Sequence, residues 1–181
     1  MSTTHLLDRV AAAHGQVCYE VPVGFKWISA KMAETGAVIG GESSGGLTVR
    51  GHIPGKDGVY AGSLLVEAVA ASGKRLSELY ADIVARYGEL VMVENAYGFT
   101  AERRTELQER IFGAHDLPAF TPDVERVSWE DGCKVYFTCG GWVTIRFSGT
   151  EPLLRVFAEM PTGDEARATA AAVASHYGLD A

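Results

Sequence analysis

Residues 124–160 read VERVSWEDGCKVYFTCGGWVTIRFSGTEPLLRVFAEM. Four runs rich in apolar, β-branched and aromatic residues are separated by Glu130-Asp131-Gly132, by Gly140-Gly141 and by Ser148-Gly149-Thr150-Glu151-Pro152. The first two breaks are short hairpin signals, so the spacing predicts a meander of antiparallel strands, ending in a strand at 153–160. The third break carries more than a chain reversal needs. It adds two hydroxyls and sets an arginine on each side, Arg146 and Arg155. A glycine there lets backbone N–H groups approach an anion with no Cβ in the way. Arg146 can bind two oxygens of a phosphate at once, and Ser148 and Thr150 can donate hydroxyl hydrogens. The plainer alternative is a polar hairpin with incidental arginines.

Working outward, ELVMVENAYGF reads as one more strand. TAERRTELQERIFG (100–113) reads as a helix capped by Thr100, without a Glu at the capping-box position, and DEARATAAAVASHYG (164–178) as a closing helix. A strand meander with two helices is the pattern of a small α+β domain, assigned to residues 89–181. Residues 1–88 alternate differently. A helix over 3–14 places Leu6, Leu7, Val10 and Ala13 on one face, with Ser2, Thr3 or Thr4 as cap and Gly15 as its end. VCYEV (17–21) reads as a strand and FKWISAKMAET as a helix stopping near Gly36. The strand at AVI runs into the glycine loop of 41–46, a second loop spans 51–58, and helices cover 59–73 and 76–88. This is an α/β arrangement of strands and helices in sequence.

The whole chain has 181 residues, 47% hydrophobic, with a formal net charge of -7. Such a balance argues against non-specific binding to nucleic acid or to an anionic membrane, so any anion site has to be local. Three cysteines, Cys18, Cys133 and Cys139, form no CxxC pair. The five histidines form no HxxH or HExxH pair, so no metal site is expected. The sparse thiols fit a reducing compartment as small apolar residues. The N-terminus has no signal-peptide pattern, and no apolar run approaches the ~20 residues that span a bilayer. A cytoplasmic location is expected.

Two further stretches bear on chemistry. G-E-S-S-G-G at 41–46 places Glu42 and Ser44 on a loop at a strand end, where a carboxylate and a hydroxyl suit neighbouring sugar hydroxyls. It is neither the Walker nor the Rossmann glycine pattern. In P-V-G-F-K-W-I (22–28), Lys26 follows a glycine turn and could face a phosphate, although a solvated lysine between core aromatics is the simpler account. His52 and Lys56, in the 51–58 loop, are equally open to both readings.

In this order, the three motifs resemble those of the α-D-phosphohexomutases, the phosphoglucomutase and phosphomannomutase superfamily. RFSGTEPLLRV resembles the family's phosphate-binding loop in its fourth domain, with Phe147 where proline is commoner, a change expected to loosen the turn slightly. GGESSGG resembles the sugar-recognition loop of the third domain, and VGFKWI with the downstream KDG is similar to the phosphoglucomutase branch. The resemblance implies a truncated α/β third domain (1–88) and a TATA-binding-protein-like α+β fourth domain (89–181). It implies phosphate binding by Arg146, Ser148, Gly149, Thr150, Arg155 and Lys26, and sugar binding by Glu42 and Ser44. The family's T-A-S-H-N-P-like phosphoserine loop and D-G-D-x-D-R-like magnesium loop occur nowhere in the chain. It therefore implies no catalytic residue and no metal ligand here. Magnesium and glucose 1,6-bisphosphate are implied for the complete enzyme, with hexose phosphates as ligands and the N-terminal domains as partners in cis or in trans. A stand-alone sugar-phosphate-binding module or pseudoenzyme, and one half of a split mutase, are the alternatives.

Overall fold

The computed structural model describes residues 1–179, in two compact units, Met1–Glu89 and Leu90–Ala181. The first unit holds α1 (Leu6–Ala13), α2 (Phe25–Thr35), β1 (Ile39–Gly41), β2 (Leu47–Val49), α3 (Gly58–Ser72) and α4 (Leu76–Tyr87). The second holds β3 (Val91–Gly98), α5 (Ala101–Gln108), a π-helical turn (Glu109–Gly113), β4 (Val124–Ser128), β5 (Cys133–Phe137), β6 (Trp142–Phe147), β7 (Leu153–Met160) and α6 (Gly163–Tyr177). The mixed α/β and α+β class is as the sequence indicates.

In the second unit one antiparallel sheet runs in the order β3-β7-β6-β5-β4. The period of two in each strand sends Cys133, Val135 and Phe137 of β5, Val143 and Ile145 of β6, and Leu154, Val156, Ala158 and Met160 of β7 into one core. Helix residues close that core: Leu107 and Ile111 from 101–113, and Ala166, Ala170, Val173 and Tyr177 at helical spacing along α6. Each large aliphatic side chain buried there stabilises the unit by about 1.5–3 kcal/mol. Thr100 caps α5 by accepting from the Arg103 N–H at 3.3 Å, and Thr162 caps α6 by accepting from the Glu165 N–H at 3.3 Å. The helix predicted over 100–113 is in fact α-helical only to Gln108. It widens into the π turn, closed by the Ala114 N–H on the Glu109 carbonyl, and keeps both Leu107 and Ile111 buried.

The first unit is differently built. β1 and β2 form a two-stranded hairpin, paired Ile39↔Val49, Gly40↔Thr48 and Gly41↔Leu47. α2 packs onto β1 at Gly40, where a Cβ would lie 2.4 Å from Ile28 Cγ2 and 2.6 Å from Met32 Sδ. The predicted strand at 17–21 is absent. Val17 and Tyr19 are exposed in an irregular connection, and no described strand pairs with it to satisfy a ladder. α1 begins after His5 with no side-chain cap, and Thr4 Oγ1 accepts from the Leu6 N–H instead. β2 was hidden in the sequence because three residues carry no readable period. Neither α3 nor α4 has a buried residue, although α3 reads GVYAGSLLVEAVAAS and Val59 is 83% exposed. An apolar helix of that kind ordinarily packs its face against another element.

Candidate functional site

The Ser148–Thr150 loop joins β6 to β7, and the β6–β7 register sets Arg146 directly opposite Arg155. Like charges at opposed positions destabilise a sheet unless counter-charges or a bound anion offset them. Carboxylates do so here. Arg146 donates from Nε to Asp131 Oδ1 at 3.1 Å, while Arg155 donates from one Nη to Glu94 Oε1 at 3.0 Å and from the other to Glu151 Oε2 at 2.8 Å. The two arginines therefore differ. Both Nη groups of Arg155 are occupied, whereas only Nε of Arg146 has a partner among the described residues.

The loop itself is closed by the Ser148 N–H on the Leu153 carbonyl at 2.8 Å. Ser148 Oγ accepts long hydrogen bonds from the N–H groups of Thr150 and Glu151, at 3.4 and 3.3 Å, and lies 3.5 Å from Thr150 Oγ1. A hydroxyl oxygen thus stands where two backbone N–H groups converge, the place an anion oxygen would take. Gly149 has no left-handed φ, and a Cβ there would meet nothing within 4 Å. The fold alone does not require glycine at 149. Phe147 is anchored by its ring. Its ring packs on Phe99 (5.3 Å) and Phe112 (6.0 Å), with the Arg104 guanidinium 5.6 Å from its centroid, which ties the last residue of β6 to the core.

In the first unit, Glu42 and Ser44 lie on the loop between β1 and β2. The Glu42 N–H donates to the Gly46 carbonyl at 2.8 Å, and the Gly45 N–H donates to the Glu42 carbonyl at 3.0 Å. Ser44 Oγ donates to Glu42 Oε2 at 3.4 Å, and Lys56 Nζ pairs with the same oxygen at 2.6 Å. Lys56 reaches it across Gly46, where a Cβ would lie 2.8 Å from its Cδ. The sequence left Lys56 undecided, and tertiary structure brings it into the Glu42 cluster. The following loop is braced by His52 Nε2 against Asp57 Oδ2 (2.9 Å), by His52 stacked on Tyr60, and by Ser29 Oγ donating to the Pro54 carbonyl (2.8 Å). The Tyr60 N–H and then His52 hold the Asp57 carboxyl below the usual aspartate range.

Lys26 lies in the first turn of α2, after Gly24, which provides no side-chain cap. Its ammonium is 4.9 Å from the Trp27 ring centroid. A cation at a helix N-terminus opposes the helix dipole, and an anion there would relieve it. Lys26 is exposed, and among the described residues the side-chain partners of Glu42 are Ser44 and Lys56.

Burial pushes the Cys133 thiol up to about 12, which leaves it an inert core residue, whereas Cys18 and Cys139 are exposed. Among the described residues no three His, Cys, Asp or Glu side chains converge in a way that fits a metal ion. Among the described residues no helix is long and apolar enough to cross a membrane.

Two family models match the chain. The phosphoglucomutase/phosphomannomutase alpha/beta/alpha domain III covers residues 1–87, and the phosphoglucomutase/phosphomannomutase C-terminal domain covers residues 100–176. A phosphoglucomutase/phosphomannomutase of Thermococcus kodakarensis is 31% identical over 92% of this chain and 34% of its own length. A phosphoglucosamine mutase of Solibacter usitatus is 33% identical over 93% of this chain and 33% of its own. Among solved structures, a protein assigned as a phosphomannomutase of Thermus thermophilus superposes with a TM-score of 0.70 at 29% identity, over 97% of this chain and 34% of that one. The chain thus spans about a third of the length of these relatives. With domain models matched in order over both units, the chain belongs to the phosphoglucomutase/phosphomannomutase family and corresponds to its C-terminal portion.

Proposed function

We propose that this chain is the sugar-phosphate-holding part of a hexose-phosphate mutase. Residues 1–88 would be part of domain III and carry the sugar loop; residues 89–181 would be the C-terminal domain and carry the phosphate loop. The observation that carries the reading is the opposed pair Arg146 and Arg155 at the base of a Ser-Gly-Thr loop, with only the Nε of Arg146 engaged by a protein partner among the described residues. Arg146 grips a phosphoryl group through its Nη donors, with Ser148, Gly149 and Thr150 adding hydroxyl and backbone donors around it. Arg155 joins when a phosphate dianion competes with Glu94 and Glu151 for its Nη groups. Glu42 and Ser44 accept from and donate to sugar hydroxyls, with Lys56 setting the position of Glu42. Lys26 adds positive charge.

Phosphoryl transfer is mostly positioning and charge stabilisation, and these residues supply positioning. A clamp on the phosphate that does not react holds the hexose 1-phosphate and the 6-phosphate alike, which interconversion requires. Magnesium stabilises the transferred phosphoryl charge when bound. Among the described residues no cluster fits that ion, and its ligands and the phosphoserine are assigned to an upstream portion joined in cis or supplied in trans. The uncovered apolar residues of α3, Val59, Leu65 and Val66, support such a neighbour, since an alpha/beta/alpha domain requires a sheet beneath its helices. The relatives' names differ in the sugar, so the common reading is a hexose phosphate.

The test is a titration with glucose 1-phosphate and glucose 1,6-bisphosphate, followed by amide NMR shifts. Saturable shifts at 146–155 and 41–46 are expected, with binding about 2–4 kcal/mol weaker in Arg146→Ala. Equal binding by the variant rules out the clamp. The chain alone is expected to show no conversion of glucose 1-phosphate to glucose 6-phosphate in a coupled assay, and measurable turnover would mean that the phosphoryl donor is within these residues.

A further inference from the structure

We infer that Asp131 is a positioning residue for the phosphate clamp, fixing Arg146 from behind so that its Nη donors remain available to the ligand. The inference rests on the reading of Arg146 as a phosphate ligand. Asp131 belongs to the β4–β5 turn, fifteen residues before Arg146 in sequence, and reaches it through a side-chain ion pair at 3.1 Å in which both partners are largely shielded from solvent. The juxtaposition is built by the backbone. Gly132 has φ +88°, and a Cβ on it would stand 2.7 Å from the Ile145 carbonyl oxygen and 3.1 Å from Arg146 Cβ. Only glycine lets the turn come this close to β6, and Asp131 is the side chain that the approach delivers.

Three features argue that the carboxylate positions the guanidinium rather than competing with the ligand. It engages Nε, the donor least useful to a phosphate that binds across the two Nη groups. Arg155 is directly opposite, so without a counter-charge the like charges would drive Arg146 away from the loop. Arg155 itself has both Nη groups taken by glutamates, the arrangement expected of a charge held in reserve. A guanidinium fixed before binding loses less side-chain freedom when the phosphate arrives.

The experiment is a titration with glucose 1-phosphate, followed by amide shifts and by the Arg146 Nε–H resonance, on the parent chain, Asp131→Ala, Asp131→Asn and Arg146→Ala. Binding about five- to twentyfold weaker is expected for Asp131→Ala. Recovery to within about threefold is expected for Asp131→Asn, whose amide oxygen still accepts from Nε. In the parent, the hydrogen-bonded Nε–H resonance is expected to persist at saturation. If that resonance moves to the position of a freely hydrated arginine on saturation, the phosphate has displaced Asp131 and the proposal fails, with the clamp intact. Binding by Asp131→Ala as tight as the parent, or tighter, also overturns it. Should Asp131→Ala lose its folded spectrum, the parent Nε–H measurement and Asp131→Asn decide alone. Unchanged binding in Arg146→Ala, or no saturable binding by the parent at millimolar ligand, overturns the clamp reading and this inference together.

Discussion

Gly132 and Gly149 show how two glycines in neighbouring loops answer to different demands. Gly132 takes φ +88°, and its missing Cβ leaves room for the Ile145 carbonyl. Gly132→Ala is therefore expected to destabilise the second unit by about 2 kcal/mol or more, from left-handed backbone and steric contact together, read as a lower midpoint in urea. Gly149 has open space around it and no left-handed φ. Gly149→Ala should leave that midpoint unchanged or slightly higher, since alanine restricts the unfolded chain, while glucose 1-phosphate binding weakens. A loss of stability at 149 equal to that at 132 would assign this glycine to folding rather than to a ligand. The contrast was invisible in the sequence, where both residues follow a polar neighbour in a turn. Lys56 makes the same point, because only the path of the 51–58 loop over Gly46 carries it to Glu42.

At the scale of elements, the C-terminal end of α6 is tied to the segment after the π turn through Asp116. Its carboxylate accepts from Arg110 at 2.8 and 3.0 Å and lies 2.8 Å from His176 Nε2, and the Tyr177 hydroxyl donates to its backbone carbonyl. Arg110 first, and His176 after it, hold the Asp116 carboxyl below the usual aspartate range. A folded-state value depressed in this way adds stability that is complete above the unfolded aspartate value of about 3.9 and is lost as the pH falls through the folded value. Asp116→Asn is thus expected to unfold more readily than the parent near neutral pH. The difference should begin to shrink as the pH falls toward the unfolded aspartate value of about 3.9 and vanish once it is below the depressed folded value, measured by urea midpoints across the acid range. A difference that persists at the acid end would show that shape rather than charge holds α6. Helix and strand identities were legible where the period ran long, as in α6 and β5–β7. The strand read into VCYEV failed because alternation describes a face, and a strand also needs a neighbour.

Across the molecule, burial is concentrated in one unit. Leu107, Ile111, Phe137, Ile145 and Val156 are fully enclosed in the second, whereas α3 and α4 in the first have no buried residue. Opening free energies follow local burial, so amide exchange in β5, β6 and β7 is expected to be at least about a hundredfold slower than in α3. Comparable protection in α3 would mean that its apolar face is covered in solution. The sequence by itself determined the antiparallel meander with its two helices, the family resemblance and the placing of Glu42, Ser44 and Ser148 on loops. Period, turn chemistry and short motifs are local properties that survive without coordinates. Only the tertiary structure decided that Arg146 faces Arg155 across two strands, that Asp131 rather than a nearer acid holds it, and that Lys56 meets Glu42. Register and the close approach of backbones set those contacts, and both belong to the folded chain, not to any stretch of it.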